Sequence, residues 1–585
     1  MIRPMKAAAV ALVAVMCCVM LMSCSDSGDA TVTLNLKFPE NVSVLRQAPD
    51  SLIDRFLRFF SSPAEAASII DVRSVAVRIS GPGMDAFEKK YTADTLTVVF
   101  AVEAGKDRTF LVKAYNGSGQ VIYAGSTTVD LKAGEARLLI ITLAGTLRMV
   151  EDINTTVDVG NPLYTDSSSP GEMTEYDGRF YFAAYTDTYG TELWVYDPAA
   201  DTVELAADIF SGTSSSSPSE LTVFNGLLYF TAADADANTE LWSYDGVNDP
   251  VVHEVNASGS SSPANLTVVN NMLFFSASDG SSMQEPFVCV GSAEPALVYD
   301  IVSGYDSFPF GFCELDGRVF YFADSTGSGY NYTYLYEYNG VNVAPTSYLI
   351  TYATTTSIDT SSSPVLFNDR LYFVYYDSMI DPYYCLYSFD GIAVEQILPT
   401  QFSMYNTSNQ KNLAELNGRL YFPVYEGSYG NELWSYDGIA PMVQDENFVR
   451  ESDIYAGVGN STPDYVTAVD GMLYFETRID DGSEPYFYSC NPATGDFLQI
   501  KQEYVSNIRG FNSVVAVEFG SDNKQVWIYD PSREVSDGVN PYQLEINSLF
   551  SESSAEIIAI DGNRLYLSAN DVLHGTELWV YDYYK

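Results

Sequence analysis

Glu192-Leu193-Trp194-Val195-Tyr196-Asp197 returns as Glu240-Leu241-Trp242-Ser243-Tyr244-Asp245-Gly246, as Glu432-Leu433-Trp434-Ser435-Tyr436-Asp437-Gly438 and as Glu577-Leu578-Trp579-Val580-Tyr581-Asp582. Copies aligned on this Trp or its substitute fall at Trp194, Trp242, Phe287, Tyr336, Tyr387, Trp434, Tyr486, Trp527 and Trp579. Their mean period is about 48 residues, the length of one four-stranded propeller blade. One hairpin signal per copy describes a small sheet that buries its faces only against its neighbours. The predicted fold is all-β, with a β-propeller of about nine blades over 147–585. Eight is the alternative if the degenerate eighth copy, with Asn512-Ser513 and Gln525-Val526-Trp527, forms no blade.

The grammar within a copy is steady. A short strand such as Leu221 to Phe224 meets a turn at Asn225-Gly226 and a strand Leu227 to Ala232; a polar turn, the Glu-Leu-Trp strand and a closing strand Val251 to Val255 follow. The turn pair recurs as Asp177-Gly178, Asp316-Gly317, Asn417-Gly418, Asp470-Gly471 and Asp561-Gly562, which favour the type I′ geometry of tight hairpins. Second strands such as Leu228-Tyr229-Phe230 and Leu420-Tyr421-Phe422 are apolar on both faces, as a sheet between two others requires. The ninth copy lacks a closing strand, and residues 147–153 resemble 203–209 of the next unit. They are expected to complete the last blade and seal the ring.

Upstream, Arg3 and Lys6 precede an apolar run from Ala7 to Met22, the pattern of a secretory signal over 1–23. Leu21-Met22-Ser23-Cys24 resembles a bacterial lipobox, which implies lipidation of Cys24, a tether over 24–30 and, from Ser25, sorting to the outer membrane on a side the sequence does not fix. Over 31–146, Val32, Leu34 and Leu36, then Val75, Val77 and Ile79, alternate with polar residues. This predicts a β-sandwich that resembles immunoglobulin-like or transthyretin-like modules. Asp50 to Phe60 carries apolar residues at helical spacing and is expected to cover a sandwich edge or to lie on lipid near Cys24.

Glu-Leu-Trp-x-x-Asp-Gly, preceded by Ser217-Pro218-Ser219-Glu220-Leu221-Thr222 and Asn225-Gly226-x-Leu-Tyr-Phe, resembles the ELWxxDGT-repeat family of exported bacterial propellers over most of 160–585. The chain departs from that pattern in putting Val247 or Ile439 where the final Thr stands. The resemblance implies architecture and export and brings no catalytic residues.

With 77 acidic against 29 basic side chains and a formal charge of -48, nucleic acid is excluded as a partner, since phosphate binding needs a basic surface. Only His253 and His574 are present, in different positions of different copies, which argues against a histidine triad or a multi-histidine metal site. Cys289, Cys313, Cys385 and Cys490 show no CxxC pair and allow three disulfide pairings. No cofactor is expected. Oxygen ligands in Gly-containing turns, from Asp187, Asp234, Asp480, Asp481 and Asp571, could hold Ca²⁺, or could simply shape the turns.

Of the 44 tyrosines most occupy core repeat positions. Tyr185, Tyr189, Tyr330, Tyr332, Tyr375, Tyr376, Tyr383, Tyr384, Tyr425 and Tyr429 instead cluster near the turns before the Glu-Leu-Trp strands, on one rim of the expected ring. Tyrosine offers large contact area at little ordering cost, so the rim suits a protein or polysaccharide ligand. The expected function is a lipid-anchored, non-catalytic binding platform in the cell envelope. The alternatives are a propeller enzyme acting on polysaccharide, and a periplasmic assembly factor similar in plan to the lipoprotein of the outer-membrane barrel assembly machine.

Overall fold

The computed structural model describes residues 29–37, 72–92, 97–116, 121–142, 144–157, 165–281, 283–325, 333–349, 356–357, 364–377, 384–399, 401–404, 413–439, 441–452, 454, 459–478, 485–521, 523–536, 540–546, 554–571 and 573–584. Every regular element among them is a strand. The predicted leader, Cys24, residues 25–28 of the tether and the Asp50–Phe60 stretch lie outside the described residues, whereas Asp29 and Ala30, expected in the tether, already pair with Glu103 and Val102 in the first strand. The described residues fall into two compact units: those up to 148 together with 580–584, and those of 149–546 together with 554–579.

In the first unit, Asp29–Lys37 runs antiparallel to Thr97–Glu103 and parallel to Ala136–Thr142 in a three-stranded sheet. A five-stranded sheet is built around Ser74–Ser80 and Gly105–Tyr115. The alternating apolar residues of both sheets form one core, in which Val32, Leu34, Val75, Val77, Ile79, Phe110 and Val112 are fully enclosed. Period-two alternation thus becomes two sheets packed face to face.

The second unit is a succession of antiparallel meanders. We number these sheets 1 to 9 and their strands A to D in chain order. Sheet 1 comprises Thr174–Tyr176, Arg179–Thr186, Gly190–Asp197 and Thr202–Ala207, each strand beside the next. Sheets 2 to 8 span 219–253, 264–297, 310–349, 356–396, 402–450, 464–502 and 505–543, with strand A of sheets 5 and 6 split into two short segments. In sheet 9, Ala555–Asp561, Arg564–Asn570 and Thr576–Asp582 are joined by Leu147–Glu151 as the outer strand. The degenerate eighth copy therefore forms a full sheet, with Asn512 and Ser513 both at positive φ in its first turn.

Most A–B turns have the expected geometry: Asp177-Gly178, Asn225-Gly226, Asp316-Gly317, Asn417-Gly418 and Asp470-Gly471 all sit at positive φ, as do Asn270-Asn271 and Asn368-Asp369. In sheet 9 the turn is formed by Gly562-Asn563, one residue later than expected. Asp561 pairs with Arg564, which leaves Gly562 and Asn563 as the two turn residues.

Apolar residues on both faces of strands B and C pack each sheet on the next. Leu193 and Tyr181 of sheet 1 meet Leu228 and Phe230 of sheet 2; Tyr229 and Leu241 of sheet 2 meet Leu273 and Phe275 of sheet 3. The same holds through sheet 8. Phe180 of sheet 1 lies 4.7 Å from Tyr566 of sheet 9, so first and last sheets pack as well. This is a propeller-like all-β arrangement.

Candidate functional site

Strands A and C of a sheet run in the same direction, so its A–B and C–D turns lie at one end. Its B–C turn and the loop entering the next sheet lie at the other, and there the repeat motif converges. The Glu192 carboxylate, fully buried, accepts the Ser216 N–H (2.8 Å), the Ser216 hydroxyl (2.6 Å) and the Ile209 N–H (2.8 Å). Glu240 does the same with Ser261 and Val255, and Glu577 with Ser168 and Ile153. Glu285 accepts the Ser307 hydroxyl and the Ile301 N–H, and Glu432 the Ser452 hydroxyl. Each repeat carboxylate pins the loop that enters the following sheet, and Glu577 pins the loop entering sheet 1.

The loop is shaped for this. The residue before each of Pro170, Pro218, Pro263, Pro309 and Pro463 sits at positive φ. One position before the bonded Ser, Ser167, Ser215 and Ser260 accept the backbone N–H that precedes the Glu. Gly190, at φ +71°, lies against this loop so closely that a Cβ there would sit 2.4 Å from the Ser214 carbonyl oxygen. Burial pushes the carboxyls of Glu192 and Glu240 upward against the lowering effect of their hydrogen bonds, and carries Glu285 and Glu577 up to about 7. A repeated acid consumed in this way is a structural brace.

The predicted tyrosines occupy this same end. Tyr185 is 37% and Tyr425 39% exposed, at equivalent places in strand B of sheets 1 and 6. The Tyr185 hydroxyl donates to Asp187 Oδ1 at 2.8 Å. Tyr189 and Tyr429 sit in the following B–C turns, and the Arg450 guanidinium lies 3.7 Å from the Tyr429 ring centre. Tyr375, Tyr376 and Tyr384 fall at the B–C end of sheet 5, with Tyr376 opposite Tyr384. Tyr330, Tyr332 and Tyr383 lie outside the described residues.

The proposed calcium ligands are not brought together. Asp187, Asp234 and Asp571 stand in sheets 1, 2 and 9; Asp480 and Asp481 lie outside the described residues. Asp234 accepts the N–H groups of Asp236 and Asn238; Asp571 accepts those of Leu573 and His574 and the His574 ring at 2.6 Å. Turn shaping already uses both carboxylates. Among the described residues no group of three His, Cys, Asp or Glu side chains is placed to hold a metal.

One constellation gave no sequence signal. His253 Nε2 lies 2.9 Å from Ser243 Oγ and Nδ1 2.9 Å from Glu294, with the ring stacked on Tyr229. The Glu comes from the C–D turn of sheet 3, so the array links two sheets, and Ser243 is only 5% exposed in mid-strand. A nucleophile needs access to substrate and donors for an oxyanion; the neighbouring backbone here is paired in the ladder, and the arrangement reads as an inter-sheet clasp. Cys289, Cys313, Cys385 and Cys490 are thiols in four different sheets, without a disulfide.

No family model and no curated protein matches the chain. Among solved structures it is similar to the computationally designed Ika8 protein, with 12% identity and a TM-score of 0.33 over 71% of this chain and 97% of that one. A second is the β-propeller domain of the Trilobed protease from Pyrococcus furiosus, with 11% identity and a TM-score of 0.30 over 56% of this chain and all of that one. A third is a puromycin hydrolase, with 13% identity and a TM-score of 0.30, of which the chain spans 59%. Likeness of this degree bears on neither the activity nor the ligand of the present chain.

Proposed function

We propose that this chain is a lipid-anchored protein of the bacterial outer membrane, of the ELWxxDGT-repeat kind, in which an immunoglobulin-like sandwich carries a nine-bladed propeller. The propeller is a non-catalytic platform for a protein or polysaccharide ligand, held at the B–C end of the strands. The nine consecutive sheets among the described residues, the last completed by Leu147–Glu151, support the blade count. The lipobox at Cys24 supports the anchor.

The observation that carries the reading is the division of labour at one end of the repeats. The acid common to the motif is buried and spent on Ser and backbone N–H groups, while Tyr185 and Tyr425 stand exposed at equivalent positions. Aromatic faces flanked by carboxylates such as Asp187 suit stacking on sugar rings or an apolar contact bordered by hydrogen bonds. The test is binding of the full chain to a glycan array and to envelope extracts, beside Tyr185→Ala/Tyr425→Ala. Ligand retained by the parent and lost by the double variant, at unchanged melting temperature, supports the reading. Equal binding by both removes the tyrosines from it.

A further inference from the structure

In the first unit the three-stranded sheet turns one face to the core and leaves the other uncovered among the described residues. Val98, Phe100, Leu139 and Ile141 point inward and are buried, while Val99 is 52%, Leu138 59% and Ile140 65% exposed. Register places these three on one outer surface: Val99, Thr33 and Leu138 form a row across the strands, and Thr97, Asn35 and Ile140 the next. A third row runs through Thr31, and no charged side chain stands in any of the three. Sheets with a solvated face alternate apolar with polar residues, so an outer face carrying Val, Leu and Ile is built to be covered.

The chain itself supplies a cover of matching size. Residues 38–71 leave this sheet at Lys37, the end of its central strand, and return at Val72 in the sandwich core. Within them Leu52, Ile53, Phe56, Leu57, Phe59 and Phe60 fall within about 160° of a helical projection, and Asp54, Arg55 and Arg58 fill the other side. A helix over residues 50–60 is about 16 Å long and about 10 Å wide, and the three rows span about 13 Å along the strands and about 10 Å across them. Residues 38–49 reach about 40 Å when extended, enough to bring that stripe back over the face. A second copy fits less well, since the face offers on the order of 200–300 Å² and each partner of a stable dimer contributes about 800 Å². Asp29 and Glu103, paired just beyond the third row, set acids at its end and disfavour an anionic lipid surface.

We propose that residues 50–60 dock as an amphipathic helix on the outer face of the three-stranded sheet, giving the sandwich a third layer. The inference rests on neither the lipid anchor nor the propeller's ligand. To test it, Leu138→Cys is introduced into the full chain and its maleimide labelling, corrected for the parent, is compared with that of Lys132→Cys in the turn off the face. Leu138→Cys is expected to label at least about tenfold more slowly, and Ile53→Asp/Phe56→Asp should bring it to the rate of the reference while leaving Lys132→Cys unchanged. A second measurement leaves the apolar stripe largely intact: Ile140→Cys with Phe56→Cys should form an intramolecular disulfide, read as a linked peptide pair, in at least about fivefold higher yield than Ile140→Cys with Arg58→Cys. Labelling of Leu138→Cys as fast as the reference, or equal yields from the two pairs, overturns the proposal. So does protection that survives Ile53→Asp/Phe56→Asp, that vanishes on dilution and marks a second copy, or that arises only with phosphatidylethanolamine–phosphatidylglycerol vesicles.

Discussion

Removing one repeat carboxylate should unfasten one loop. Glu192→Ala leaves three donors, the Ser216 N–H and hydroxyl and the Ile209 N–H, without the acceptor they use at 2.6–2.8 Å. A buried donor left unsatisfied costs about 1–3 kcal/mol, so the expected loss is on the order of 3–5 kcal/mol. Glu192→Gln keeps one acceptor but turns an NH₂ toward donors, and should cost about 2 kcal/mol. Ser216→Ala removes a single hydroxyl bond, about 1 kcal/mol. Because repeats couple mainly to their neighbours, the loss should concentrate in sheets 1 and 2. Hydrogen exchange of peptides covering 208–218 should accelerate by on the order of a hundredfold in Glu192→Ala, with sheets 5 to 7 unchanged. A double-mutant cycle should give Glu192 and Ser216 a coupling of at least about 0.5 kcal/mol. Exchange within twofold of the parent, or additive single effects, would refute the brace.

Three further outcomes follow from the same geometry. Glu285 and Glu577 are pushed up to about 7 by burial, above the ordinary glutamate value, so the native state holds more protons than the unfolded chain between those values. The stability they contribute is present at low pH and lost as pH rises through about 7; the urea midpoint should rise from about pH 8 to about pH 5.5, and Glu577→Gln should flatten part of that rise. Gly190→Ala should cost at least about 3 kcal/mol because its Cβ meets the Ser214 carbonyl, whereas Gly178→Ala, at φ +75° with open space around it, should cost about 1–2 kcal/mol; urea titration compares them. Cys289 and Cys490 are 1% exposed and pushed up to about 12 by burial, so both should resist Ellman's reagent until the chain unfolds.

Much of the fold was legible because the propeller writes itself repeatedly. Asn225-Gly226 and its relatives announce a turn only left-handed backbone can make, and Leu228-Tyr229-Phe230 announces a strand covered on both sides. The turn at Gly562-Asn563 was misplaced because Asp561-Gly562 has the favoured turn composition, whereas pairing of Asp561 with Arg564 puts the turn one residue later. The tyrosine positions follow from the B–C turn, but which of them face solvent depends on packing against the next sheet. The His253–Ser243–Glu294 clasp was hidden, since its members meet only once two sheets are stacked.

The central claim is that the platform holds its ligand and leaves it intact. The most direct measurement incubates the full chain with whichever polysaccharide fraction it retains and follows new reducing ends over many hours, alongside Tyr185→Ala/Tyr425→Ala. The account predicts stable binding with no reducing ends above the ligand-alone control. Reducing ends that accumulate in proportion to the chain and follow its binding would contradict it and place a catalytic carboxylate pair outside the repeat brace.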